Sequence, residues 1–220
     1  MTDSYDVTDR NKARQLRDKA SYDRETVHRI LDTALFTSVA FVQDGAPVVV
    51  PMIHGRDDEI VYLHGARKAR VVKLLDQTSQ VCLNATLIDG IVLARSAFNS
   101  SMNYRSATVF GTPRLVADDE EKIHGMRVIS EHLMPGRWDE LREPLDKEIK
   151  MTGVIAVTIE SASAKVSSGM PDDEDEDYAI PIWAGVLPLE STLTHLVDDD
   201  RLLDNVEPSA VVRALQGRRL

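Results

Sequence analysis

The hydrophobic pattern is most informative over residues 46–75, APVVVPMIHGRDDEIVYLHGARKARVVKLL. Val48 to Ile53 is an apolar run interrupted by Pro51, and Ile60 to His64 is β-branched and aromatic, as a pleated strand prefers. The polar stretch Gly55-Arg56-Asp57-Asp58 between them predicts a reversing turn. Val71, Val72, Leu74 and Leu75 then recur at helical spacing, which predicts a helix over 66–75. Upstream, Asp23 to Leu35 reads as a helix, with Val27, Ile30, Leu31 and Leu35 on one face. Leu35 to Val42 pairs with the strand from Ala46 across Asp44-Gly45.

Downstream, 80–87 and 91–97 read as two strands joined at Asp89-Gly90, and a further strand ends near Val116. Asp118 to Leu133 is an amphipathic helix with acidic residues at its start. A short helix over 145–151, a strand over 153–166 and a last helix over 208–215 complete the pattern. Hairpins dominate, so the expected fold is α+β, mainly β, a small closed or split β-barrel with peripheral helices. The domain organisation reads as an arm over 1–20, mobile or loosely docked, a barrel domain over 21–190 and a C-terminal extension over 191–220.

Composition narrows the class. Hydrophobic residues at 43% and charged ones at 28% suit a globular chain of 220 residues. The first 20 residues lack the apolar core of a secretory signal, and no apolar run approaches a membrane span, so a cytoplasmic location is expected. The formal charge of −10 argues against a nucleic-acid binder. The run Asp172 to Asp177, DDEDED, reads as a solvated acidic loop. Cys82 stands alone, which leaves no internal disulfide and no multi-cysteine metal site. No GxGxxG, GxxxxGK[ST], HExxH or GxSxG motif occurs.

Two stretches carry candidate chemistry. At His64-Gly65-Ala66-Arg67-Lys68-Ala69-Arg70 a strand gives way to a helix whose first N–H groups are unpaired, and three cations gather there. That pattern suits a phosphate; a solvated helix face is the alternative. Residues 95–111, RSAFNSSMNYRSATVFG, put polar side chains on a strand, where a polar ligand or ordinary turn chemistry would satisfy them. Trp183 could cover a ligand or fill the core, and His64 and His54 are the imidazoles placed nearest the junction.

The segments PMIH, VYLHGARKAR, RSAFNSSMNYRSATVFGT, PGRW and SAKVSSGMP…DYAIPIWAGVLPL together resemble the pyridoxamine 5′-phosphate oxidase-like superfamily, in its nitroimidazole-reductase-related, flavin-nucleotide-binding branch. The resemblance runs from about Thr26 to Leu189. It implies a split β-barrel homodimer with FMN at the interface. Val50, Pro51, Met52, Ile53 and His54 would then run along the flavin ring, and His64, Gly65 and Ala66 would sit at its edge. Lys68 and Arg70 would neutralise the phosphate, while Asn103, Tyr104, Arg105 and Ser106 approach from the other side and Trp183 comes from the partner or the C-terminal segment. His64 would be the catalytic candidate.

The implied activity is an FMN-dependent oxidoreductase passing electrons from a reduced nicotinamide to a small aromatic acceptor such as a nitro compound. Haem held by His64 or His54, the deazaflavin F420, and a non-catalytic flavin-binding module are the alternatives on the same fold. Small molecules and a second copy of the chain are the expected partners, with no nucleic acid and no membrane.

Overall fold

The computed structural model describes residues 3–220. Its frame is one antiparallel sheet rolled on itself. The strands are β1 (Ala20–Ser21), β2 (Phe36–Gln43), β3 (Ala46–Asp57), β4 (Ile60–Ala66), β5 (Val81–Leu93), β6 (Ser101–Leu115), β7 (Thr152–Ser167) and β8 (Gly185–Pro188). The ladder β7-β4-β3-β2-β5-β6 closes because β6 also pairs with β7, so these strands form a barrel that leaves few open edges. The short β1 extends β7, and β8 adds to the far end of β5.

Period-two alternation decides which side chains enter the barrel. Val39, Leu83, Ala85, Ala107, Val109, Ile155 and Val157 are buried inside it. Two helices contribute to this core: α1 (Arg24–Thr33) through Val27, Ile30 and Leu31, and α2 (Arg70–Gln77) through Val72 and Leu75. Asp23 caps α1 by accepting the Thr26 N–H at 2.8 Å, and Asp118 caps α3 (Asp119–Leu133) in the same way. A second cluster joins α3 to the outside of the barrel through Ile129, Tyr62, Val154 and Ala156. The short α4 (Asp146–Met151) precedes β7, and α5 (Ala210–Ala214) ends the chain's helices.

The β2–β3 hairpin turns at Asp44-Gly45 as the sequence predicts, both residues having positive φ, 50° and 78°. Elsewhere the chain departs from the pattern. The next turn lies at Asp58-Glu59, because the ladder with β4 extends to Asp57↔Ile60. The helix expected at 66 starts at Arg70, since Ala66 still pairs with Thr152 and the Arg67 N–H is held by the Met151 carbonyl at 2.8 Å.

Asp89-Gly90 is not a hairpin. Residues 81–93 form one strand, and the irregularity in its pairing with β6 falls between Ile88 and Gly90. The N-terminal segment is docked through Tyr5 and Asn11, both buried, with the Asn11 side-chain amide donating to the Ala162 carbonyl at 3.0 Å.

The acidic run is not wholly solvated either. The Asp173 carboxylate has no exposed side-chain surface; it accepts the Arg95 backbone N–H and a 3.0 Å bond from the Arg95 guanidinium, which stacks on Tyr178.

A candidate flavin site on the outer face of the barrel

The outward side chains of β2 and β3 form an apolar surface in the single chain. Phe36, Val42, Val49 and Ile53 are 42–66% exposed there, and Pro51 lies exposed between the last two. The pleat therefore splits the PMIH stretch. Pro51 and Ile53 face out, whereas Met52 and His54 are buried and Val50 packs against the core.

His54 is fully buried beneath α1 and α3, with Nε2 2.9 Å from the Leu31 carbonyl and its ring 4.8 Å from that of His132. Burial first, then the neighbouring His132, pushes its imidazole down to about 4. It is a neutral core group, and its side chain is closed to a ring-sized ligand. Nδ1 of His54 is buried with no hydrogen-bond partner. His132 extends this buried layer, its Nε2 donating to the Ala34 carbonyl at 2.8 Å.

Beside the apolar surface, β4 ends at His64, Gly65 and Ala66, and the chain turns through Arg67 and Lys68 into α2. His64 has an exposed edge, yet the surrounding protein lowers its pKa through desolvation, so the ring is neutral at pH 7. Arg67 and Lys68 are exposed and make no ion pair among the described residues. Arg70 donates to the Gln43 side-chain oxygen at 2.8 Å, which ties the start of α2 to the end of β2. The positive end of a helix, two unpaired cations and a third held by a neutral partner make a site for an anion. The sequence pattern gathers Arg67, Lys68 and Arg70 at this junction and the resemblance selects Lys68 and Arg70; in the structure Arg67 and Lys68 are the two left without an ion pair among the described residues.

The residues of β6 separate by face. Asn103 and Arg105 lie on one side, where Asn103 donates to the Gly169 carbonyl at 3.0 Å and Arg105 forms a forked pair with Asp89 at 2.7 and 2.9 Å. Tyr104 and Ser106 lie on the other. Arg105 is thus neutralised by its own chain. Trp183 is 70% exposed and lies against Gly185 at the start of β8, so it does not fill the core.

The frame is an antiparallel split barrel with a cationic helix start beside an apolar outer face. The model of the pyridoxamine 5′-phosphate oxidase family matches residues 23–166, and the chain belongs to that family. No match was found among curated proteins.

Three solved structures are informative. The flavocytochrome Anf3 from Azotobacter vinelandii is 36% identical, with a TM-score of 0.89 over 96% of this chain and 98% of that one. An FAD and haem binding protein from Mycobacterium smegmatis is also 36% identical, with a TM-score of 0.87 over 90% of this chain and 98% of its own. A protein from Bacteroides thetaiotaomicron described as a 5-nitroimidazole antibiotic resistance protein is 25% identical, with a TM-score of 0.58 over 67% of this chain and 86% of that one. No helix among the described residues is long and apolar enough to cross a membrane.

Proposed function

We propose that this protein is a flavin-dependent redox protein. It works as a homodimer, holding the flavin ring of FMN or FAD against the outward face of β3 and the flavin phosphate at Arg67, Lys68 and Arg70. The observation that carries this reading is the pairing of unpaired cations at the start of α2 with an exposed apolar strand beside them. In an acidic chain such a pairing suits a ligand that is anionic at one end and flat and apolar at the other.

The bound flavin would supply two-electron and one-electron chemistry, accepting from a reduced nicotinamide and passing electrons to a small aromatic acceptor. The chain's own residues bind and orient it. Lys68 and Arg67 offset the phosphate charge, Pro51 and Ile53 cover a ring face, and a second copy of the chain excludes water from the other. His64, which desolvation keeps neutral, would lie at the ring's edge and give or take a proton there.

A second reading, that haem is carried as well, has its own support. The family model stops at 166, whereas the likeness to the flavocytochrome extends over nearly all of this chain, so the N-terminal arm and the tail are shared with it. His64 fits an iron ligand because its ring is neutral and accessible; His54 does not, being buried on the Leu31 carbonyl. The visible spectrum of the purified protein tests both. Flavin bands released by denaturation support the first reading, and a Soret band lost in His64→Ala supports the second. A protein that is colourless and takes up neither group in titration refutes them. Sedimentation equilibrium tests the dimer.

A further inference from the structure

The arginines of this chain mostly pair with carboxylates, as Arg24, Arg56, Arg105, Arg114 and Arg142 do. Arg10, Lys12 and Lys165 are among the cations that make no ion pair among the described residues, and they gather in one place. They line a groove of about 510 Å³ between the N-terminal arm and the outer face of β6 and β7. Ser106, Thr108 and Ser163 put hydroxyls on its floor. Lys19 reaches the Ser167 hydroxyl nearby at 3.1 Å. Asp9, paired with Arg14 at 3.8 Å on the exposed side of the arm, is the carboxylate nearest in sequence to these cations.

This arm is a built wall. Asn11, 4% exposed, donates to the Asp6 carbonyl at 2.8 Å and to the Ala162 carbonyl at 3.0 Å, while its oxygen accepts the Thr8 N–H at 2.7 Å. The Ala13 N–H donates to the Tyr22 hydroxyl at 2.8 Å. Those bonds hold Arg10 and Lys12 over the strand face, where Arg10 stacks 5.6 Å from the Phe110 ring centre.

Arg10 and Phe110 also line a neighbouring groove, of about 600 Å³, that runs over Ala40, Val42 and Pro47. That second groove runs on to the end of α2 at Gln77 and the start of β5 at Val81 and Cys82.

We propose that the arm groove binds an ADP group. Adenine would stack at Phe110 and Arg10, and the diphosphate would be met by Lys12, Lys165 and the hydroxyls of Ser106, Thr108 and Ser163. Two ligands of the proposed redox reaction carry that group, FAD itself and a reduced nicotinamide dinucleotide. The inference rests on the flavin reading for its biological sense, and its test is separable from it.

The experiment is calorimetric titration of ADP into the protein loaded with FMN. Binding is expected, and Lys12→Glu/Lys165→Glu should weaken it at least tenfold while FMN affinity stays unchanged. The neutral pair Lys12→Gln/Lys165→Gln should give a smaller loss and serves if the reversed pair does not fold. Loading with FAD distinguishes the sources. If ADP is then excluded, the groove holds the ADP half of FAD; if ADP still binds, it holds a separate dinucleotide. Absence of ADP binding, or equal binding by both variant pairs, overturns the proposal. Should the protein take up no flavin, the flavin reading fails by itself, and the same ADP titration into the colourless protein still decides the groove.

Discussion

Asp173 offers a direct measure of how far tertiary structure overrides a sequence pattern. It sits in a run of six consecutive acidic residues, yet its carboxylate is fully buried and accepts from the Arg95 N–H at 3.0 Å and the Arg95 guanidinium at 3.0 Å. Arg95 is itself 20% exposed along its side chain, and its Nε is buried without a partner. Asp173→Ala would leave that guanidinium and a backbone N–H without their acceptor. Removing one partner of a buried pair costs about 3 kcal/mol at the lower end of the usual range, because the remaining charge stays desolvated. For a chain of this size that corresponds to a fall of roughly 6–12 °C in melting temperature.

Asp172→Ala, next door and exposed, is the internal control and should change stability by no more than about 0.5 kcal/mol. Urea unfolding of both variants, followed by tryptophan fluorescence and circular dichroism, gives the comparison. If the two variants unfold at the same midpoint, the carboxylate at 173 contributes no more than its exposed neighbours, and the anchoring role is refuted.

Further predictions follow from the same geometry. Lys68→Ala should weaken flavin binding by about 2 kcal/mol, as loss of a charge-assisted phosphate contact does, and Arg70→Ala by less because Gln43 already engages that guanidinium; fluorescence titration of the flavin reads both. His54 is held down at about 4 when folded, against an ordinary value near 6.5, so the unfolded chain takes up its proton first as the pH falls. Stability from this group is therefore complete above about pH 6.5 and is lost toward pH 4, to an extent of about 3 kcal/mol; urea midpoints should fall less for His54→Leu than for the wild type over that window. Gly111→Ala would place a methyl carbon 2.0 Å from the Thr158 carbonyl oxygen, so backbone must move, and thermal melting should show a loss of at least about 2 kcal/mol.

By itself the sequence determined the local elements, because their signals are local. Asp23 and Asp118 cap the helices they precede, Asp44-Gly45 supplies the positive φ of a hairpin, and the spacing of Ile123, Met126 and Ile129 marks α3. The resemblance in PMIH, VYLHGARKAR and RSAFNSSMNYRS carried the family, which the match over 23–166 then established. What those segments could not give was the direction of each side chain. Within the PMIH stretch the pleat turns His54 into the protein and Ile53 out of it, and within NYRS it separates Arg105 from Ser106.

Pairing across the barrel decided the rest. The Ala66↔Thr152 ladder delays α2 to Arg70, and pairing with β6 on both sides of an irregularity at Asp89, together with pairing to β8, carries β5 through Asp89-Gly90 as one strand. Burial of Asn11 and Asp173 fixes two charged, polar stretches that composition alone describes as solvated. In each case hydrogen bonds to residues far along the chain outweigh a local preference worth less than a single buried contact.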